Sequence, residues 1–142
     1  MKQPVTNENK AATQSQLALH LMVSKLSVKT TPSNPSEKTI VNDVPSWLQV
    51  NTDQHKLAAI ISRLLDKVID HTDSSRIRIC AKNYHNVTIL HIKDKSRLNS
   101  PAFANSLVEV QELAEELRGS VSVTSYRNDV TTVALSFMNV AA

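Results

Sequence analysis

Arg63, Lys67 and His71 recur at every fourth position in SRLLDKVIDHT, residues 62–72. In a helix, that spacing puts all three on one face. A cationic stripe of this kind can hold an anion without a metal, because guanidinium and ammonium groups neutralise phosphate through charge-assisted hydrogen bonds. The same face also reads as an ordinary solvated surface. Asp66 lies three residues after Arg63, and Asp70 three after Lys67. Such pairs contribute only about 0.2–0.5 kcal/mol each, so they do not force one geometry. Asp94 is a further candidate. It closes the apolar stretch VTILHIKD, where it serves either as a buried hydrogen-bond acceptor or as a turn aspartate at a strand end.

Other chemistries find little support. His20, His55, His71, His85 and His91 show no metal-ligand spacing, and the lone cysteine, Cys80, cannot complete a set or form an internal disulfide. Cys80 reads as a small packing residue of a strand, His91 as a satisfied sheet histidine, and His20 as a packing or surface residue. No G-x-S-x-G elbow marks a serine hydrolase. The single glycine, Gly119, excludes the usual glycine-rich phosphate loops, which need backbone close to the anion and positive φ angles. A net charge of +3 with 4% aromatic residues and no Lys/Arg block does not describe a nucleic-acid surface. Glu109, Glu112, Glu115 and Glu116 crowd one region outside an apolar stripe, as a solvated face or a docking surface for a basic partner.

These residues need elements to position them. The chain has 142 residues, 41% apolar and 20% charged, which suits one globular domain with a real core. No apolar run approaches the roughly 18 residues of a membrane span. The polar start, MKQPVTNENKAATQSQ, lacks a secretory signal's apolar core, so a cytoplasmic protein is expected. Residues 1–12 read as disordered, 13–37 as an N-terminal segment and linker, and 38–140 as the folded domain. Within 13–28 a helix with Leu17, Leu21 and Val28 on one side is favoured over a strand.

From Lys38 the pattern sharpens. TIVNDV (39–44) and WLQVN (47–51) read as strands. Leu57, Ile60, Ile61, Leu64, Leu65 and Val68 form the stripe of a helix that Thr52 or Asp53 can cap. RIRICAK (76–82) alternates as a strand with one wet face. NYHN (83–86) is a turn, and VTILHIKD (87–94) a more central strand. Ser100 and Pro101 open a helix with Phe103, Leu107, Val110, Ala114 and Leu117 inward, and Gly119 stops it as a left-handed cap. SVSVTSY (120–126) and VTTVALSF (130–137) close the chain as a hairpin. The order β β α β β α β β predicts a two-layer α/β sandwich, a mixed sheet covered on one face by helices.

Order and residues together resemble the ATP-binding domain of the histidine kinase, gyrase and Hsp90 (GHKL) superfamily, the Bergerat fold. The resemblance runs from about Lys38 to Phe137 and is nearest the sensor histidine kinases. Thr52-Asp53…Leu57 resembles the D-x-x-x-L that leads into the long helix. SRLLDKVIDHT resembles the N-box N-L-L-x-N-A-x-x-H-T. HIKDKSRL resembles the first glycine box, V-x-D-x-G-x-G. LAEELRGSVSVTS resembles the segment after the ATP lid, and TTVALSF the closing strand. The family implies that Asp94 accepts the adenine amino group and that the N-box asparagine holds magnesium. Here Lys67 stands at that asparagine, Arg63 at the one a turn earlier, and Ser96 and Leu98 at two glycines. An amide oxygen can ligate Mg²⁺; an ammonium or guanidinium has no lone pair to offer. The long lid, the second glycine box and the phosphoacceptor helices are missing.

The sequence reading is therefore a degenerate histidine kinase-like ATPase domain, with no catalytic residue, acting as a non-catalytic regulatory or binding module in two-component signalling. The resemblance implies a histidine kinase or response regulator as partner, with no nucleic acid, no membrane and homo-oligomerisation left open. No cofactor is expected. The alternative keeps ATP without a conventional magnesium site, with Asp94 on the base and Lys67, Arg63 and His71 toward phosphate. A ligand-free oligomeric scaffold, with Leu98 and Arg63 filling the pocket, is the third reading.

Overall fold

A computed structural model describes residues 17–30, 39–72, 76–95, 100–125 and 130–140. The expectations for residues 1–12, the 31–37 linker, Ser96, Leu98 and the 127–129 turn lie outside the described residues. In chain order the elements are α1 (Leu19–Thr30), β1 (Thr39–Asn42), α2 (Gln54–His71), β2 (Arg76–Tyr84), β3 (Val87–Asp94), α3 (Pro101–Ser106), α4 (Val108–Glu115), β4 (Ser120–Ser125) and β5 (Thr131–Met138).

The strands form one mixed sheet in the order β1-β2-β3-β5-β4. Strand β1 runs parallel to β2, and every other neighbour is antiparallel. Register aligns Ile79 with Ile92 and Val133, and Ala81 with Leu90 and Leu135, with Ile77 next to Ile79 on the same face. All are buried, and with Phe137 they form the sheet's side of the core. The helices cover that face, giving the two-layer sandwich read from the sequence. The opposite face carries Arg76, Arg78, Lys82, His91 and Lys93, none of them buried.

Helix α2 buries the six aliphatic residues its periodicity selects. Its cap is Asp53, whose Oδ1 accepts the Lys56 N–H at 3.0 Å. That bond holds the Asp53 carboxyl below its ordinary pKa. Strand β3 takes the central place that its apolar run indicates.

Five details differ from the sequence reading. Residues 47–51 form no strand. Gln49 makes one isolated bridge with Ala18, and Leu48 and Val50 are buried while Trp47 is 68% exposed. The alternation is present, but α1 begins at once beyond Ala18 and leaves no further strand to pair with. Helix α1 turns Leu19, Met22 and Val23 into the core, with Leu26 packed beside them, and leaves Leu21 exposed. Its stripe is thus out of phase with the expected Leu17–Leu21 side. The turn after β2 is only His85-Asn86, with His85 in the left-handed region at φ 56°.

The helix opened by Ser100 is broken at Leu107. Ser106 Oγ donates to the Phe103 carbonyl at 2.6 Å, the acceptor Leu107 N–H would use in a continuous α-helix. Leu107 N–H bonds Ala104 O instead, at 3.1 Å, so the turn tightens. At the other end, Arg118 and not Gly119 takes the left-handed position, at φ 56°. Gly119 N–H reaches back to Ala114 O at 2.9 Å, a Schellman closure with Arg118 at its bend. Glycine is required at 119 for another reason: a Cβ there would collide with the Ser136 carbonyl of β5.

Two asparagines fasten the irregular segments. Asn42 Nδ2 donates to His20 O at 3.0 Å and Ser24 Oγ at 2.9 Å, and its Oδ1 accepts Val44 N–H. Buried Asn139 donates to Gln49 O at 2.8 Å and Thr88 Oγ1 at 2.9 Å, and accepts Asn51 N–H at 2.6 Å.

Candidate functional site

Helix α2 does bring Arg63, Lys67 and His71 onto one face. Neighbouring helices engage two of the three. Arg63 Nη1 donates to Glu109 Oε1 of α4 at 2.8 Å. The His71 ring meets Phe103 of α3 edge-on, with centroids 5.3 Å apart, and its Nδ1 lies 3.0 Å from the Lys67 carbonyl. Near the start of α2, Lys56 pairs with Glu116 at 3.4 Å. The contacts run 56–116, 63–109 and 71–103, so α2 lies antiparallel to α3 and α4.

The partner of Arg63 corrects one expectation. Spacing offers Asp66 to Arg63; it is exposed, and the ion pair goes to Glu109 instead. A turn of helix gives an acid on the same element only a small advantage. A carboxylate arriving from a packed neighbour competes easily. The pair is half-exposed at both ends, so it stabilises by no more than about 1 kcal/mol. Its effect is positional: the Arg63 guanidinium is held toward α4. Glu109 and Glu116 thus bridge helices, while Glu112 and Glu115 remain exposed.

Asp94 lies on another element, at the end of β3. Register sets it between Ile77 of β2 and Thr131 of β5 on the helix-covered face. It is 2% exposed, and Thr131 and Thr72 are buried polar residues as well. The sheet end therefore carries a buried acceptor, facing the layer in which α2 lies.

Magnesium finds no ligand in Arg63 or Lys67 themselves. Arg63 is donor-only and already bonded to Glu109, and Lys67 likewise offers no lone pair. Among the described residues, no group of three or more His, Cys, Asp or Glu side chains could hold a metal. Nor is any described helix long and apolar enough to cross a membrane.

One further cluster escaped the sequence reading. Arg76, Arg78, Lys93 and Lys95 line an open cavity of about 250 Å³ on the uncovered sheet face, with Val130 and Asp94. Alternation alone marks Arg76, Arg78 and Lys93 as wet; only strand register places them together.

No protein-family model matches this chain, and no curated protein matches it. Solved structures do. The chain superposes on the Acinetobacter baumannii histidine kinase AdeS with a TM-score of 0.70 at 12% identity, over 87% of this chain and 66% of that one. For the catalytic domain of histidine kinase ThkA the TM-score is 0.70 at 11% identity, over 90% and 98%. For the ATP-binding domain of PrrB from Mycobacterium tuberculosis it is 0.69 at 12% identity, over 87% and 96%. The chain thus spans less than two thirds of the AdeS structure but nearly all of the isolated ThkA and PrrB domains. Its fold is that of a histidine kinase ATP-binding domain.

Proposed function

We propose that this chain is a degenerate histidine kinase-like ATPase domain that binds and regulates a protein partner in two-component signalling, and performs no phosphoryl transfer. The observation that carries the reading is the chemistry of α2. Arg63 and Lys67 occupy the positions where the resemblance implies magnesium-holding asparagines, and Arg63 is tied to Glu109. Cations there can neither ligate the metal nor let it bridge a triphosphate. The partner is a histidine kinase or a response regulator.

Calorimetry with ATP and ADP, each with and without Mg²⁺, tests this directly. No magnesium-dependent heat is expected, and no label should pass from ATP to the chain or to a partner histidine. Magnesium-dependent binding or autophosphorylation overturns the proposal.

The burial of Asp94 at the sheet end favours one competing reading, an adenine acceptor retained without the metal. In that case ATP binds without Mg²⁺, and Asp94→Asn abolishes the binding. Unchanged binding by that variant removes the alternative.

A further inference from the structure

The uncovered sheet face concentrates like charge in a way that is costly for the fold. Arg78 of β2 and Lys93 of β3 are direct cross-strand partners, and like charges placed opposite one another destabilise a sheet. Arg76 follows two residues before Arg78 on the same face, about 7 Å away along the strand. Lys95 lies two residues beyond Lys93. All four are exposed and line the same cavity. Asp43 answers part of this charge, pairing with Arg78 Nε at 3.1 Å. Neither Lys93 nor Lys95 has a carboxylate partner among the described residues. His91, two residues before Lys93 on the same face, feels the field: burial first, then Lys93 and Lys82, lowers its pKa.

From this geometry we propose a phosphoryl-binding site on the open face of the sheet, formed by Arg76, Arg78, Lys93 and Lys95. A guanidinium suits the paired oxygens of a phosphoryl group, Arg78 offering its outer nitrogens beside the Asp43 contact, and two ammonium groups add point charge. The cavity, at about 250 Å³, falls below the roughly 300–1,000 Å³ of pockets that enclose whole drug-sized ligands. It suits one or two phosphoryl groups, whether free as phosphate or pyrophosphate or carried by a larger molecule that extends outside. Cross-strand repulsion between Arg78 and Lys93 is relieved when the anion binds, so the ligand also stabilises the sheet. The four cations stand on the side of the sheet away from α2, with Asp94 at the cavity's edge, and the site does not depend on the function proposed above.

The test is an NMR titration of the full chain with inorganic phosphate, pyrophosphate and ATP, with thermal melts run in parallel. Pyrophosphate should shift the amides of residues 76–80 and 93–95 saturably and raise the melting temperature. Lys93→Glu should weaken binding roughly tenfold or more, since a hydrogen bond to a charged group is worth about 1.5–3 kcal/mol. That variant also replaces a like-charged cross-strand pair with an opposite one, so it should melt no lower than the parent, and lost binding cannot then be put down to misfolding. Asp43→Asn should act the other way and tighten binding. If the site takes only free ions, phosphate and pyrophosphate bind and ATP does not; if it takes carried phosphoryl groups, ATP binds here too and Lys93→Glu removes that binding. ATP heat that survives Lys93→Glu belongs to the α2 face instead. The proposal is overturned if pyrophosphate causes no saturable shift at these amides, if Lys93→Glu binds as well as the parent, or if an acidic peptide shifts them and phosphates do not.

Discussion

Replacing Gly119 by alanine adds one methyl group where the helix layer hands the chain to β4. The new Cβ would collide with the Ser136 carbonyl oxygen, lying 2.9 Å from the carbonyl carbon and 3.0 Å from Phe137 Cα. Those atoms are backbone of β5, held by β3 on one side and β4 on the other, so no rotamer change relieves the clash. Overpacking of this kind costs about 1–3 kcal/mol, occasionally more, and a fixed backbone obstacle puts Gly119→Ala at about 3 kcal/mol or above. For a domain of this size that lowers the melting temperature by roughly 6–12 °C. Two further variants separate this argument from the left-handed cap that the sequence suggests. Asparagine tolerates left-handed backbone, yet Gly119→Asn should be as harmful as alanine, because it too carries a Cβ. Arg118→Gly should be neutral or stabilising by up to about 1 kcal/mol, since Arg118 holds φ 56°. Circular dichroism melts and urea titrations read all three. If Gly119→Asn melts with the parent while Arg118→Gly melts lower, the left-handed residue is 119 and the close approach to β5 is wrong.

Asn139→Leu should cost about 1–3 kcal/mol, because Asn139 serves Gln49, Asn51 and Thr88 together and Thr88 keeps only its bond to Asn83; a loss below about 1 kcal/mol in urea unfolding would mean that water replaces the lost bonds. His91 gives a pH signature. Its folded pKa lies below the ordinary 6.5, so just beneath that pH the unfolded chain binds more protons than the folded one. Stability therefore falls as pH drops through 6.5 toward the folded value and levels off beyond it. Urea midpoints measured above and below this window should show a smaller fall for His91→Gln, and identical falls would assign the effect to other groups.

What the sequence made legible was local. The α2 stripe was readable because six aliphatic residues at helical spacing admit one phase only. In α1 the apolar residues crowd several sides, so Leu21 looked as suitable for burial as Met22, and only contact with the core chose between them. WLQVN alternates like a strand, but a strand also needs a neighbour, and its neighbour is the last residue before a helix. A left-handed cap at Gly119 is what the sequence suggests; the left-handed residue is Arg118, and the need for glycine at 119 comes from β5, another element. The candidate site divides the same way. One helical face carrying Arg63, Lys67 and His71 follows from spacing. The pairing of Arg63 with Glu109, and the convergence of Arg76, Arg78, Lys93 and Lys95, follow from helix packing and strand register, which no short window of sequence contains.

Asn42 and Asn139 bear on how movement would travel through the domain. The chain between β1 and α2 has no regular structure, which would ordinarily make it a hinge. Here Val44 is bonded to Asn42 and Asn51 to Asn139, while Leu48 and Val50 bond to the backbone at the start of α1. The stretch therefore acts as a stiff coupling rod. A displacement of the start of α1 should therefore carry Leu48 and Val50 with it toward Asp53, the cap of α2, because the loop between the helices is bonded rather than free.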